Sequence, residues 1–161
     1  MTKTLDLGCG LKPKNPFNAA EVYGIDVRDD ADSNIVKADL VVDPIPFPDD
    51  SFEYVTAYDF LEHIPRLIYT PTRRNSFIEL MNEVWRVLKP GGHFLSFTPA
   101  YPHSAAFCDP THVNFITEET FPNYFDDVKT WAVIYGFKGK FQVVSQEWRG
   151  SHLMAVLRKV A

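Results

Sequence analysis

Leu5-Asp6-Leu7-Gly8-Cys9-Gly10 is the stretch whose reading decides the fold. Residues 4–7 form a short β-prone run that stops at two glycines one residue apart. A strand running straight into such a turn lets the backbone take positive φ and come close to a ligand. Four more short apolar runs follow: 21–27 ending near Asp26, 35–38 ending at Asp39, 54–58 ending at Asp59, and 93–98 ending at Pro99. Short apolar strands, three of them closed by a carboxylate, point to a parallel sheet whose functional residues line its C-terminal edge.

Between the fourth and fifth runs, Phe77, Met81, Val84, Trp85 and Leu88 fall on one face of a helix. Thr70-Pro71 or Thr72 can start it, and Lys89-Pro90-Gly91-Gly92 stops it. Strand, helix, strand over 54–98 is a βαβ unit with a right-handed crossover. The 11–21 connection holds Pro13 and Pro16 and has room for about one helical turn, so the first helix is expected to be short or missing. Residues 99–116 read as a long functional loop. A short helix is expected from Thr117 to about Phe125, and strands at 131–135, 140–147 and 152–159, the last two joined by a turn at Gly150-Ser151.

The length of 161 residues favours one domain spanning 1–161. Hydrophobic residues at 45% and charged residues at 23% fit a globular chain, and 13 Phe predict a filled aromatic core or an aromatic-lined pocket. A net charge of −5 argues against a broadly basic nucleic-acid surface, and the Arg66, Arg73 and Arg74 cluster reads as a solvated helix start. Two cysteines fit a reducing compartment, with Cys108 read as an inert buried thiol. There is no signal-peptide pattern and no apolar run long enough to span a bilayer, which predicts a cytoplasmic protein.

Asp26 lies 19 positions after Leu7, at the end of the second strand, where a carboxylate can accept both ribose hydroxyls of a nucleoside. A nicotinamide dinucleotide is the nearest competitor. Its fingerprint needs a third glycine opening a helix, whereas Gly10 here is followed by Leu11-Lys12-Pro13. A nucleoside with a cationic amino-acid tail needs no such helix, and Asp6 near the turn suits that charge.

These residues resemble the class I S-adenosylmethionine-dependent methyltransferases, closest to their type-11-like branch. Leu5–Gly10 is similar to motif I and residues 22–26 to motif II. Ala38-Asp39-Leu40 with 45–55 resembles motif III and the lead into strand four. Leu61-Glu62-His63-Ile64 and residues 83–92 are also family-like. The resemblance covers about residues 4–98. It implies a Rossmann-like, doubly wound, mostly parallel α/β sheet of seven strands with one antiparallel strand near the C-terminus. It implies S-adenosylmethionine as cofactor, with Asp6, Gly8, Cys9 and Gly10 at the methionine moiety and Asp26 and Val27 at the ribose. Asp39 and the Leu40 backbone would meet the adenine, and Tyr58 would lie near the methionine end. The usual N-terminal helix is absent, which implies a pocket left open or closed by a partner protein or a second copy.

Methyl transfer depends mainly on positioning, and a base matters only if the acceptor must lose a proton. His63 and His112 are the expected catalytic pair on the side of a small or medium acceptor whose O or N is methylated. The set Asp59, Glu62, His63 and His112 resembles the metal site of small-RNA 2′-O-methyltransferases and of some quinone-pathway O-methyltransferases, with an acid at 59 replacing a longer one. Leu-Glu-His-Ile also occurs in members without metal, so a polar pocket wall without an ion is the expectation. Beside an active enzyme stands a second reading: a cofactor-binding module with little turnover that works with a partner protein.

Overall fold

The computed structural model describes residues 1–28 and 34–160. Seven strands form one sheet: β1 (Lys3–Leu7), β2 (Glu21–Asp26), β3 (Ile35–Lys37), β4 (Phe52–Tyr58), β5 (Leu88–Pro99), β6 (Phe141–Arg149) and β7 (His152–Lys159). Their order is β3-β2-β1-β4-β5-β7-β6. Pairings among β1–β5 are parallel, and β7 runs antiparallel to both neighbours. The expected α/β sheet with a single reversed strand is therefore present. The order turns back between β1 and β4, the switch point where open α/β sheets leave a crevice at their C-terminal edge.

The register divides the side chains between two faces. Leu5 opposes Tyr23 and Val55, Leu7 opposes Ile25 and Ala57, and Phe94 opposes Val55 and Leu157. On this face the core closes around Phe52, Val55, Phe94, Phe121 and Phe141, all nearly inaccessible. Helix α1 (Ser76–Val87) lays Phe77, Leu80, Met81, Val84 and Val87 on it, and α2 (Thr120–Tyr124) adds Phe121. The rich phenylalanine content is thus mostly core packing.

The opposite face carries Thr4, Asp6, Thr56, Tyr58 and Leu95. Residues 8–20, all described, cross over it as turns without a helix, as the two prolines predict. Phe17 stacks on Tyr54 at 4.3 Å between ring centres, and the Lys14 N–H bonds Asp6 Oδ2 at 2.8 Å. Toward β5 and β7 this cover gives out, and His93, Met154 and Val156 stay partly exposed.

Three expectations need correction. Helix α1 starts at Ser76, because Ile68 and Arg74 exchange two backbone hydrogen bonds (3.0 and 2.9 Å) that hold residues 68–74 in a closed loop. Residues 131–135 are a 3-10 helix, Trp131–Tyr135, ended by Gly136 at φ 98°. Val133 and Ile134 are 56% and 80% exposed there, so their β-branched side chains have no sheet to fill. The helix expected from Thr117 begins only at Thr120. Gly150-Ser151 does turn the β6–β7 hairpin, pairing Arg149 with His152.

Candidate active site

The turn after β1 is built from the backbone outward. Gly8 and Gly10 both sit at φ 63°, a region that carries a steric cost for residues with a Cβ. The Cys9 N–H bonds the Ile25 carbonyl at 3.1 Å, tying the turn to β2. The Gly10 N–H then reaches Asp26 Oδ2 at 2.9 Å. A Cβ on Gly8 would lie 2.4 Å from Phe60 Cδ2, so glycine is what lets the turn lie against the segment leaving β4.

Asp26 closes β2 and is 6% exposed. Its Oδ1 accepts the Arg28 N–H (3.0 Å) and Arg28 Nε (2.8 Å), and its Oδ2 takes Arg28 Nη2 (3.2 Å) besides Gly10. The Arg28 guanidinium holds this carboxyl down to about 2. A carboxylate depressed from 3.8 stabilises the fold above its unfolded value, and that contribution fades as pH falls through about 2. Arg28 is 62% exposed, so solvent discounts the gain to about 1 kcal/mol. Chemical denaturation at pH 6 and pH 2.5 should show this loss, and Asp26→Asn should flatten it.

Other predicted cofactor residues fall into distinct places. Asp6 is buried beneath the turn, where Thr56 Oγ1 donates to its Oδ1 at 2.6 Å, and burial pushes its carboxyl up. It anchors the Lys14 backbone rather than facing solvent. The Cys9 thiol is buried and pushed up to about 11 by desolvation, so it is not a thiolate nucleophile. Val27 is 58% exposed, and Asp39 is exposed, with Oδ1 accepting the Val41 N–H at 3.0 Å. The Leu40 side chain is core, leaving only its backbone to meet a ligand. Tyr58 is half-buried beneath Lys14, whose Nζ is 4.6 Å from the ring centre.

On the acceptor side, Glu62 and His63 occupy the 3-10 turn Leu61–His63 beyond β4, and His112 comes from the loop after β5. The structure brings these three together: one ligand atom from each lies within 4.8 Å of the others. The His63 and His112 rings meet edge-on at 4.9 Å. Glu62 is 1% exposed; burial pushes its carboxyl up, and Thr98 Oγ1 donates to Oε2 at 2.7 Å. Asp59 stands apart from them, at φ 48°, with its Oδ1 2.7 Å from His152 Nε2. Cys108, expected to be buried, is exposed. Of the arginine cluster, Arg66 clamps Asn114 and the Phe115 carbonyl, and Arg74 pairs with Glu79.

Arg28, Lys14 and His152 were not foreseen. Arg28 had one available signal, a base two residues beyond the carboxylate that closes β2. Lys14 and His152 reach the site only through the path of the 8–20 segment and the return of β7.

A glycine turn after β1, a carboxylate closing β2 and a switch point between β1 and β4 define a Rossmann-like α/β protein. Across residues 5–96 the chain matches the type-11 family model described as a methyltransferase domain, and it belongs to that family. S-adenosylmethionine is the cofactor this membership implies. A turn with no room for a Cβ at Gly8, and the Asp26 carboxylate bonded to Gly10 N–H beside it, are groups that fit such a ligand. The chain is 34% identical over 59 residues to the demethylmenaquinone methyltransferases of Listeria welshimeri and Listeria monocytogenes. That match covers 37% of this chain and 21% of theirs, far less than their full length. Among solved structures, an S-adenosylmethionine-dependent methyltransferase from Mesorhizobium loti shares the fold at TM-score 0.63 and 18% identity, over 98% of this chain and 90% of that one. The complex of the Haloferax volcanii Trm112 methyltransferase activator with a methyltransferase shares it at TM-score 0.65 and 15% identity, over 99% and 83%. No helix among the described residues is long and apolar enough to cross a membrane.

Proposed function

We propose that this chain, acting as one domain, transfers the methyl group of S-adenosylmethionine to an oxygen or nitrogen of a small or medium acceptor. The observation that carries the reading is the bond from Gly10 N–H to Asp26 Oδ2, which joins the glycine turn and the strand-end carboxylate at the sheet's switch point. The sulfonium donor supplies an activated methyl group; the chain's part is to hold it and align the acceptor. Gly8, Cys9 and Gly10 offer backbone, Asp26 and Val27 border the ribose, Asp39 and Leu40 border the adenine, and Tyr58 closes the methionine end. Asp6 acts from below by anchoring the segment that covers the turn.

The loops leaving β4 and β5 frame a cavity of about 710 Å³ beside α1, with Phe77, Tyr101, Phe107, Phe115, Tyr124 and Trp131 in its walls. Aromatic walls favour a flat acceptor, and Arg66, Arg73 and Glu119 among them can meet a polar group on it. This agrees in kind with the short match to enzymes that methylate demethylmenaquinone. His63 and His112 sit beside these loops as the pair that would take the proton of an O–H or N–H acceptor.

Calorimetry with S-adenosylmethionine and S-adenosylhomocysteine, followed by a radiolabelled methyl screen that includes quinols and phenols, tests this. Binding of both ligands with label in one acceptor class is the expected result. Binding of neither sinks the reading. A second reading, a cofactor-binding module completed by a partner protein or a second copy, draws on the partly uncovered sheet face around Met154 and Val156. It predicts donor binding with no labelled acceptor until a partner is added.

A further inference from the structure

We propose that Glu62, His63 and His112 form a binding site for one divalent transition-metal ion at the C-terminal edge of β4 and β5. Their ligand atoms already lie within 4.8 Å of one another, a spread that a single ion can draw together. Two further observations point the same way. First, Glu62 is 1% exposed, yet its Oε1 has no hydrogen-bond partner, while Oε2 is satisfied by Thr98. A buried carboxylate oxygen left bare is costly unless something cationic or donating meets it.

Second, the hydrogen bonds around both imidazoles orient them as ligands. The Thr111 hydroxyl donates its one proton to Asp109 Oδ1 at 2.7 Å, so its oxygen must accept from His63 Nδ1 at 3.1 Å. His112 Nδ1 faces the Ala106 carbonyl at 3.3 Å, which can only accept. Both rings therefore carry a proton on Nδ1, which leaves Nε2 as the nitrogen open to an ion, with Asp109 Oδ2 3.9 Å from that of His112. Metal-bound histidines are commonly fixed in this way by a backbone carbonyl or an acceptor on the far nitrogen.

The loop that brings His112 is itself tethered. The Val113 and Asn114 N–H groups both donate to the Glu62 carbonyl, at 2.8 and 3.0 Å, and Asn114 Nδ2 bonds the Leu61 carbonyl at 3.0 Å. The two segments that carry the site are thus tied to each other by hydrogen bonds. Asp59 is no part of it, being paired with His152. Two imidazoles and one carboxylate suit Zn²⁺, Fe²⁺, Co²⁺ or Mn²⁺ over Ca²⁺, and three protein ligands leave a coordination position open. Resting on the methyl-transfer reading, His63 and His112 would then serve as ligands in place of the proton-taking role, and the open position would take an acceptor hydroxyl and favour O- over N-methylation.

The test uses the whole chain, stripped with a chelator and titrated with Co²⁺. Saturation at one equivalent with visible d–d absorption is expected. Glu62→Gln and His112→Ala should each weaken binding tenfold or more, and Asp59→Asn should leave it unchanged. Circular dichroism confirms that each variant is folded, and the conservative Glu62→Gln keeps the buried shape. No band beyond that of the free aquo ion overturns the site, as does a band that survives in His63→Ala/His112→Ala. Donor binding, measured by calorimetry on the same stripped samples, separates the two readings. Its loss with Co²⁺ binding intact sinks the methyltransferase reading alone, and the reverse sinks the metal site alone.

Discussion

Gly8→Val is expected to destabilise the chain by about 2–5 kcal/mol, lowering its melting temperature by roughly 5–15 °C, and to remove measurable donor binding. Two costs add. Gly8 sits at φ 63°, where a β-branched residue is strained by about 1–2 kcal/mol. Its new Cβ would also stand 2.4 Å from Phe60 Cδ2 and 3.0 Å from Phe60 Cγ. Phe60 cannot simply swing aside, since it packs on the core and follows Asp59, itself at φ 48°. The two costs can be separated. Gly150 has the same φ of 63°, and a methyl group added there would meet nothing within 4 Å, so Gly150→Ala should cost only the conformational strain, about 1 kcal/mol. In a double-mutant cycle, Phe60→Ala should recover the contact part of Gly8→Ala and none of its backbone part. A Gly8→Val protein that melts with the wild type would show that the turn does not pack against Phe60.

This glycine was legible because an apolar run stopping at Gly-x-Gly marks a strand that ends in a positive-φ turn. The neighbours that make it indispensable were not, because Phe60 is 52 residues away in the chain and meets it only through the parallel pairing of β1 with β4. The same distinction runs through the molecule. β1, β2 and β4 were readable as apolar runs punctuated by glycine or aspartate. The C-terminal part of α1 was readable from its periodicity, while its start was hidden by the exchange of backbone bonds between Ile68 and Arg74. Residues 131–135 carry strand-like composition but lie beyond any free sheet position, so local preference lost to tertiary context. In the site, spacing placed Asp26 correctly beside the turn. The resemblance also grouped Asp59 with Glu62, His63 and His112, whereas the structure brings together only the last three. The antiparallel return of β7 sets His152 opposite Pro99, and that histidine draws Asp59 away.

Asp26→Ala is expected to weaken S-adenosylmethionine binding about 10- to 100-fold, or about 1.5–3 kcal/mol, the worth of charge-assisted hydrogen bonds to a ribose diol. The ribose has a competitor for this carboxylate. Arg28 holds both carboxylate oxygens, at 2.8 and 3.2 Å, alongside Gly10. A diol that uses the same oxygens must share them with this guanidinium or displace it. Arg28→Ala therefore separates the two partners of the carboxylate. It should leave donor affinity unchanged or raise it, while removing the acid-dependent stability that the ion pair confers. Only Asp26→Ala thus lowers affinity although both substitutions break the same ion pair, which a purely structural role for Asp26 would not produce. Such a role would make both variants lose stability and affinity together. Calorimetric titration of both at neutral pH, with unfolding curves on the same samples, decides it: wild-type affinity in Asp26→Ala removes the ribose from this carboxylate, and parallel losses in the two variants reduce the pair to a clamp on the β2 end.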